Sequence, residues 1–220
     1  MTKRSFKGKT VLLTAGPTYE PIDPVRFIGN HSTGKMGYAL AESFAAHGAQ
    51  VQLVSGPTNQ LAQHPSITVI PVTTANQMYE AVRERALKAD ILVFAAAVAD
   101  YRPKEVADKK IKKSGNELTI ALVKNVDIAA ELGRQKRTDQ FSVGFALETD
   151  NEGANAREKL HKKNLDMIVL NSLNDPGAGF KHDTNKITVI EEASTTPFAL
   201  KPKSEVAEDI VCLIWERLHG

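Results

Sequence analysis

Six short runs of apolar residues recur along the chain, and between them lie segments whose apolar positions repeat with helical spacing. The runs are Thr10–Thr14, Val51–Ser55, Ile67–Pro71, Ile91–Ala95, Phe141–Ala146 and Met167–Asn171. Each is short and apolar enough for a strand buried on both faces of a sheet. Helices are predicted over Gly34–His47, Ala75–Lys88, Ile128–Arg137, Ala154–Lys163 and Ser204–Leu218, the first closed by Gly48 as a C-terminal cap. This alternation predicts an α/β fold, a doubly wound, Rossmann-like parallel sheet with right-handed crossovers. Ligands of such sheets sit beyond the carboxyl ends of the strands, where the strand order reverses. No repeat, low-complexity tract or linker interrupts the rhythm, so residues 1–220 read as one domain.

Two segments depart from the alternation. Ala15–Ile28 is a long connection with three prolines, whereas ordinary strand-to-helix loops run about 2–6 residues and longer ones are usually functional. It leads into Gly29-Asn-His-Ser-Thr-Gly-Lys-Met-Gly37, which approaches a P-loop but carries Met36 where the Mg²⁺-binding hydroxyl belongs. The expected phosphate site there is backbone N–H groups at a helix N-terminus, without Walker chemistry. The second segment, residues 101–124, carries six basic and two acidic residues over 101–113, a local charge of +4. Ser114-Gly-Asn116 then signals a turn, and Leu118, Ile120 and Leu122 alternate as in a strand. A β-hairpin or flap arm projecting from the sheet is expected, able to pair with a second subunit. A lysine run is most often a solvated face. This one follows Ala95-Ala-Ala-Val-Ala-Asp-Tyr101, a strand end whose small side chains let a base or ribose approach the backbone.

Composition narrows the classes further. The chain has 220 residues and a net charge of +2, so no global field argues for nucleic acid or a membrane surface. No apolar run approaches the roughly 18 residues of a membrane span, and Met1–Lys9 lacks the apolar stretch of a signal peptide, so a cytoplasmic protein is expected. The single cysteine, Cys212, lies in an apolar-periodic helix and reads as a buried core thiol rather than a nucleophile.

Together, Thr14–Gly37, Ala95–Tyr101 and Lys110-Ile-Lys-Lys113 closely resemble phosphopantothenoylcysteine synthetase, with further matches at Lys124–Ile128, Gly144–Thr149 and Lys163–Asp166. The motifs fall in the family's order and spacing over nearly the whole chain. The resemblance implies a ligase that joins 4′-phosphopantothenate to L-cysteine in coenzyme A biosynthesis. It implies CTP as co-substrate, Mg²⁺, an acyl-cytidylate intermediate and a homodimer. It also implies possible fusion to, or association with, a flavin-dependent decarboxylase domain. By resemblance, Asn30 orients the acyl carbonyl or stabilises the acyl-phosphate intermediate, an uncharged double donor suiting that task, and Lys110 is the mobile flap lysine that follows the moving charge and acts on both nucleotide and intermediate. The same comparison assigns nucleotide contacts to Gly16, Ser32, Gly34, Ala96, Ala97, Asp100, Lys110, Asn125, Val126, Asp127, Ile128, Phe145, Lys159 and Lys163. Phe145 is placed near the cytosine.

Each assignment has a plainer reading beside it. Asn30, Asn125 or Asp127 could simply cap helices, Asp100 could be a structural ion pair, and Phe145 could be core. Lys159 and Lys163, four apart, share a helix face, which for exposed lysines usually means little. His31 reads as structural. Val126 stands where the family often has proline. Arg26 and the helix start at Gly34 are candidates for the phosphopantothenate phosphate, and the metal ligands are left open among such neighbours as Glu20, Asp23 and Glu148. An NAD(P)-dependent oxidoreductase would share the sheet, but none of Tyr19, Tyr38, Tyr79 or Tyr101 has lysine four residues on. Its glycines would also follow the first strand directly. A non-catalytic nucleotide-binding module needs no mobile lysine flap.

Overall fold

The computed structural model describes residues 4–113, 115–148, 150–172 and 182–220. The chain begins β1 (Thr10–Ala15), β2 (Tyr19–Pro21), β3 (Phe27–Gly29), α1 (Lys35–Ala46), β4 (Gln50–Ser55), β5 (Ile67–Pro71), α2 (Ala75–Ala86) and β6 (Ile91–Phe94). It continues β7 (Tyr101–Pro103), β8 (Leu122–Lys124), α3 (Ile128–Gln135), β9 (Phe141–Glu148), α4 (Glu152–Lys162) and β10 (Met167–Ser172). The last elements are β11 (Thr184–Asn185), β12 (Ile187–Ile190), β13 (Thr195–Pro197), β14 (Lys201–Pro202) and α5 (Lys203–His219).

The central sheet runs β13-β12-β10-β9-β6-β1-β4-β5. Its six strands from β10 to β5 are parallel, in the order of a dinucleotide-binding fold. The order reverses between β1 and β6, which pair directly from Val11–Ile91 to Thr14–Phe94. Alternation along β1 sends Val11 and Leu13 to one face and Leu12 to the other. The first pair joins a core with α1 and α5, including Phe44, Val206 and Ile210; Leu12 joins Met78, Val82 and Leu132 under α2 and α3. Phe94 links that second core to the cluster beneath α4. Covered faces on both sides account for the apolar strand runs.

The structure departs from the sequence-based expectation in four places. The sheet is not wholly parallel: β12 and β13 add antiparallel at its edge. β5, expected to be buried on both faces, is an edge strand with Thr68, Val69 and Pro71 exposed. The proline-rich connection forms the hairpin β2–β3, closed by the stacked rings of Tyr19 and Phe27. The arm at 101–124 is a hairpin only at its base, where Tyr101, Arg102 and Pro103 face Lys124, Val123 and Leu122. Leu118 and Ile120 join no strand among the described residues, and Ser114 lies outside them.

The start of α1 lies directly on the end of β1. A Cβ at Gly37 would stand 2.5 Å from the Cβ of Ala15. Gly37→Val is expected to push the helix off the strand at a cost of about 1–3 kcal/mol, read as a lower Tm in thermal unfolding. An unchanged Tm would show that the contact yields freely.

Candidate functional site

Two cavities open beyond the carboxyl ends of the central strands, at the point where the strand order reverses. The first, of about 300 Å³, is lined by Asn30, the run Ser32–Gly37, Ala95–Val98, Phe145–Leu147, Asn171, Asn185 and Lys203. The second, of about 190 Å³, is lined among others by Ala99, Asp100, Lys124–Ala129, Phe145, Lys159 and Lys163. Ala96, Val98 and Phe145 belong to both, so the two chambers share a wall of small residues and one aromatic ring.

Local sequence builds that wall. Past β1 the chain continues through Gly16 with a positive φ of 74°, and the parallel ladder is extended by Ala97 N–H to Gly16 O (2.9 Å) and Thr18 N–H to Ala97 O (3.3 Å). Buried Thr18 accepts from Ala99 N–H at 3.0 Å. The segment 95–99 is thereby fixed as an extended shelf. In the first chamber, Gly34 takes a left-handed conformation (φ 76°) and α1 starts with no side-chain cap. The first turn, whose N–H groups carry no side-chain cap, therefore lines this chamber, an arrangement that suits an anion. Ser32 Oγ accepts from Gly34 N–H at 3.3 Å, and Thr58 Oγ1 holds Thr33 O at 2.7 Å.

Asn30 bridges the α1 side of the site to the shelf. Its amide nitrogen donates to Ala97 O (3.1 Å) and Val98 O (3.2 Å). Because both partners are carbonyls, the amide orientation is fixed by chemistry. The amide nitrogen is thus bonded to the shelf, and the side chain lines the first chamber.

Comparison with known proteins places this architecture. The model of the DNA/pantothenate metabolism flavoprotein C-terminal domain matches residues 6–218. The chain belongs to this family. It is 52% identical over 220 residues, all of this chain and 61% of the relative, to a protein of an unknown prokaryotic organism named cysteine/cysteine sulfinic acid decarboxylase. It is 47% identical over 215 residues, 98% of this chain and 53% of the relative, to the coenzyme A biosynthesis bifunctional protein CoaBC of Haemophilus influenzae. It thus spans between half and two thirds of these curated relatives. Among solved structures, the C-terminal domain of a coenzyme A biosynthesis bifunctional protein CoaBC superposes with a TM-score of 0.83 at 40% identity, over 99% of this chain and 98% of that one.

Within this family domain, most sequence-predicted residues converge. Ser32, Gly34, Ala96 and Ala97 line the first chamber with Asn30; Asp100, Asn125, Val126, Asp127, Ile128, Lys159 and Lys163 line the second; Phe145 lines both. Gly16 lines neither and serves the backbone ladder instead. Lys110 also lines neither: it is exposed on the arm, and its ammonium has no hydrogen-bond or ion partner among the described residues.

Several side chains are already engaged. Asn125 is buried, donating to Ala99 O at 2.7 Å and accepting from Arg102 Nη1 at 3.0 Å, and its backbone N–H donates to Asp100 O at 2.8 Å. Asp127 caps α3 by accepting from Ala130 N–H at 3.1 Å, and its other oxygen pairs with Lys163 at 3.1 Å. Lys159 pairs with Glu148. Asp100 is exposed, with no carboxylate partner among the described residues, so the structural ion pair weighed from sequence is not formed. Of the open metal candidates, Glu20 is buried against Ala75 N–H at 2.8 Å and Asp23 is bound by Arg26. His31, read as structural, is exposed.

Sequence reasoning missed Lys35, Asn171, Asn185 and Lys203 in the first chamber. Lys35 pairs with Asp183, and Lys203 donates to His182 O at 2.6 Å. Burial, and then the nearby charge of Lys35, push the Lys203 ammonium below its ordinary pKa. Asn185 donates to Asn171 Oδ1 at 2.9 Å while its own buried Oδ1 has no hydrogen-bond partner among the described residues. One signal for Lys203 was available: it opens a helix, where a cation opposes the dipole. Cys212, expected in the core, is half-buried, donating to Glu208 at 3.4 Å and accepting from Arg4 at 3.1 Å. Burial pushes its thiol pKa up.

Proposed function

We propose that this chain is the phosphopantothenate–cysteine ligase unit of coenzyme A biosynthesis, using CTP. The observation that carries the reading is the pair of chambers with a common wall: one opens on a helix N-terminus, the other on an aromatic ring and cationic side chains. The nucleoside fits the second chamber, with Phe145 against the base and the backbone of Asn125–Ile128 reading its edge. The phosphates fit the N-terminus of α1, where Lys35 and Lys203 add positive charge. Asn30, fixed to the shelf, stands at the junction. In the first step a carboxylate oxygen of 4′-phosphopantothenate attacks the α-phosphorus of CTP, and pyrophosphate leaves. In the second the amine of L-cysteine attacks the acyl carbon, CMP departs with that oxygen, and the amine proton is released. Lys110 on the arm closes over the site, matching charge that moves from carboxylate to phosphorus.

Mg²⁺ suits such a donor set through the nucleotide phosphates, since the cation takes one or two carboxylates plus phosphate oxygens. The ion supplies charge neutralisation of the triphosphate. Residues Val25, Phe27, Tyr101 and Leu122, all exposed on the adjoining hairpins β2–β3 and β7–β8, suit a homodimer contact. No helix among the described residues is long and apolar enough to cross a membrane, which is consistent with a cytoplasmic enzyme. The longer relatives suit fusion to a flavin-dependent decarboxylase domain, and the decarboxylase name of one relative belongs to a chain extending well beyond this segment.

The test is pyrophosphate release with 4′-phosphopantothenate, Mg²⁺ and CTP or ATP, with and without cysteine. Release that requires phosphopantothenate and favours CTP is expected; oxidation of NADPH with no pyrophosphate from either nucleotide would move the chain to the oxidoreductase class. Phe145→Ala is expected to raise the Kd for CTP roughly tenfold, as loss of a stacking platform costs about 1–3 kcal/mol. Equal affinity in calorimetry would take the base away from this ring.

A further inference from the structure

Asp23 sits 2% exposed in the turn between β2 and β3, yet its carboxylate gathers five hydrogen bonds. Oδ1 accepts from the backbone N–H groups of Val25 (2.8 Å) and Arg26 (2.9 Å), which shapes the turn. Oδ2 accepts from both Arg26 Nε and Nη2, and also from Ile111 N–H at 3.1 Å. The same Arg26 Nη2 donates to Ile111 O at 3.1 Å. The Asp23–Arg26 pair therefore grips both backbone groups of one residue, and that residue follows Lys110.

The rest of the arm has little else to fix it. Ala107 N–H donates to Ile22 O at 3.0 Å, and Lys104 N–H to Ala121 O at 2.9 Å at the base. Between Ala107 and Ala121, the Ile111 grip is the one hydrogen-bonded anchor among the described residues. Loops of this kind, with exposed polar side chains and few backbone bonds, open at low free-energy cost. A buried, charge-paired acceptor is what such a segment needs to hold one position, because charged hydrogen bonds are stronger and more directional than neutral ones.

We propose that Asp23 is a positioning residue for the flap: paired with Arg26, it latches the backbone of Ile111 and so sets where the Lys110 side chain can reach. The latch rests on the reading of Lys110 given above. Neutralising Asp23 leaves the ammonium in place but lets its tether wander. A misplacement of about 1 Å at a reacting group costs on the order of 10²-fold in rate. Because the latch lies outside both chambers, nucleotide affinity should change little.

Three readouts test it. Hydrogen exchange on the wild-type chain should find the Ile111 amide protected relative to Lys109 and Lys110; exchange at the rate of an unstructured peptide would overturn the latch without any variant. Asp23→Asn, in protein whose circular dichroism matches wild type, should speed exchange over 108–113. It should lower kcat for pyrophosphate release roughly 10- to 100-fold, with KM for CTP within about twofold. In a Lys110→Gln background, Asp23→Asn should cost less than about twofold more, since the two act as a unit. Losses that multiply would assign Asp23 a merely structural role and overturn the proposal. If Lys110→Gln alone leaves pyrophosphate release intact, the reading of Lys110 fails, and the exchange measurements still decide the latch.

Discussion

Lys110→Gln is expected to lower kcat for pyrophosphate release by roughly 10²- to 10³-fold while leaving the fold and the KM for CTP nearly unchanged, the size typical of one lost group that stabilises developing charge. The expectation follows from where the lysine stands. It is exposed, unpartnered among the described residues and outside both chambers, so it contributes nothing to the resting fold or to the walls of either chamber. In the proposed reaction its contribution comes when the side chain reaches the charge building at the α-phosphorus. A variant that instead raises KM with kcat intact would make the lysine an ordinary binding residue. A variant with wild-type kinetics would remove the arm from the chemistry altogether.

Asn30→Asp is the second large effect. The two N–H groups that hold Ala97 O and Val98 O would be replaced by an acceptor facing two carbonyls. A carboxylate there meets like partial charge on the shelf and would repel the carboxylate and phosphates that the proposed reaction brings to this chamber. The expected result is a fall of roughly 10²-fold in kcat/KM, about 2.7 kcal/mol, with KM for phosphopantothenate rising as well. Asn30→Ser should lose less, because it removes the clamp without adding charge. An aspartate variant as active as wild type would show that the clamp is dispensable and that the chamber is not an anion site.

The central fold was legible because burial on both faces leaves an unmistakable mark: β1, β4, β6, β9 and β10 carry near-continuous apolar runs. Helix boundaries shifted by a residue or two where caps are irregular, as at Gly34 and at Asn151, which opens α4 in a left-handed conformation. The short hairpin β2–β3 was hidden because three prolines and a turn read as loop, while its pairing comes from Tyr19 and Phe27 stacking across it. The antiparallel edge strands β12 and β13 follow residues 173–181, which lie outside the described segments, and their apolar positions were too few to stand out.

At the site, sequence motifs located the walls but not the state of the side chains. The segment Lys124–Ile128 does border a chamber, yet Asn125 and Asp127 are engaged by Ala99, Arg102, Ala130 and Lys163, partners distant in sequence. Periodicity carries no information about such partners. Lys203 and Asn185 were missed for the same reason: they enter the first chamber from the far end of the chain. The roles of Asn30 and Lys110 come from resemblance, and the geometry adds that the Asn30 amide nitrogen is bonded to the shelf.

In the proposed reaction the phosphopantothenate carboxylate is activated on the α-phosphorus of a nucleotide before cysteine attacks. Phosphopantothenate labelled with ¹⁸O in its carboxylate tests it most directly, with CTP, Mg²⁺ and cysteine as the other reactants. The account predicts one labelled oxygen in the phosphate of CMP for each amide formed, and none in pyrophosphate. Label found in inorganic phosphate beside CDP, or amide formed with no label in any nucleotide product, would contradict it.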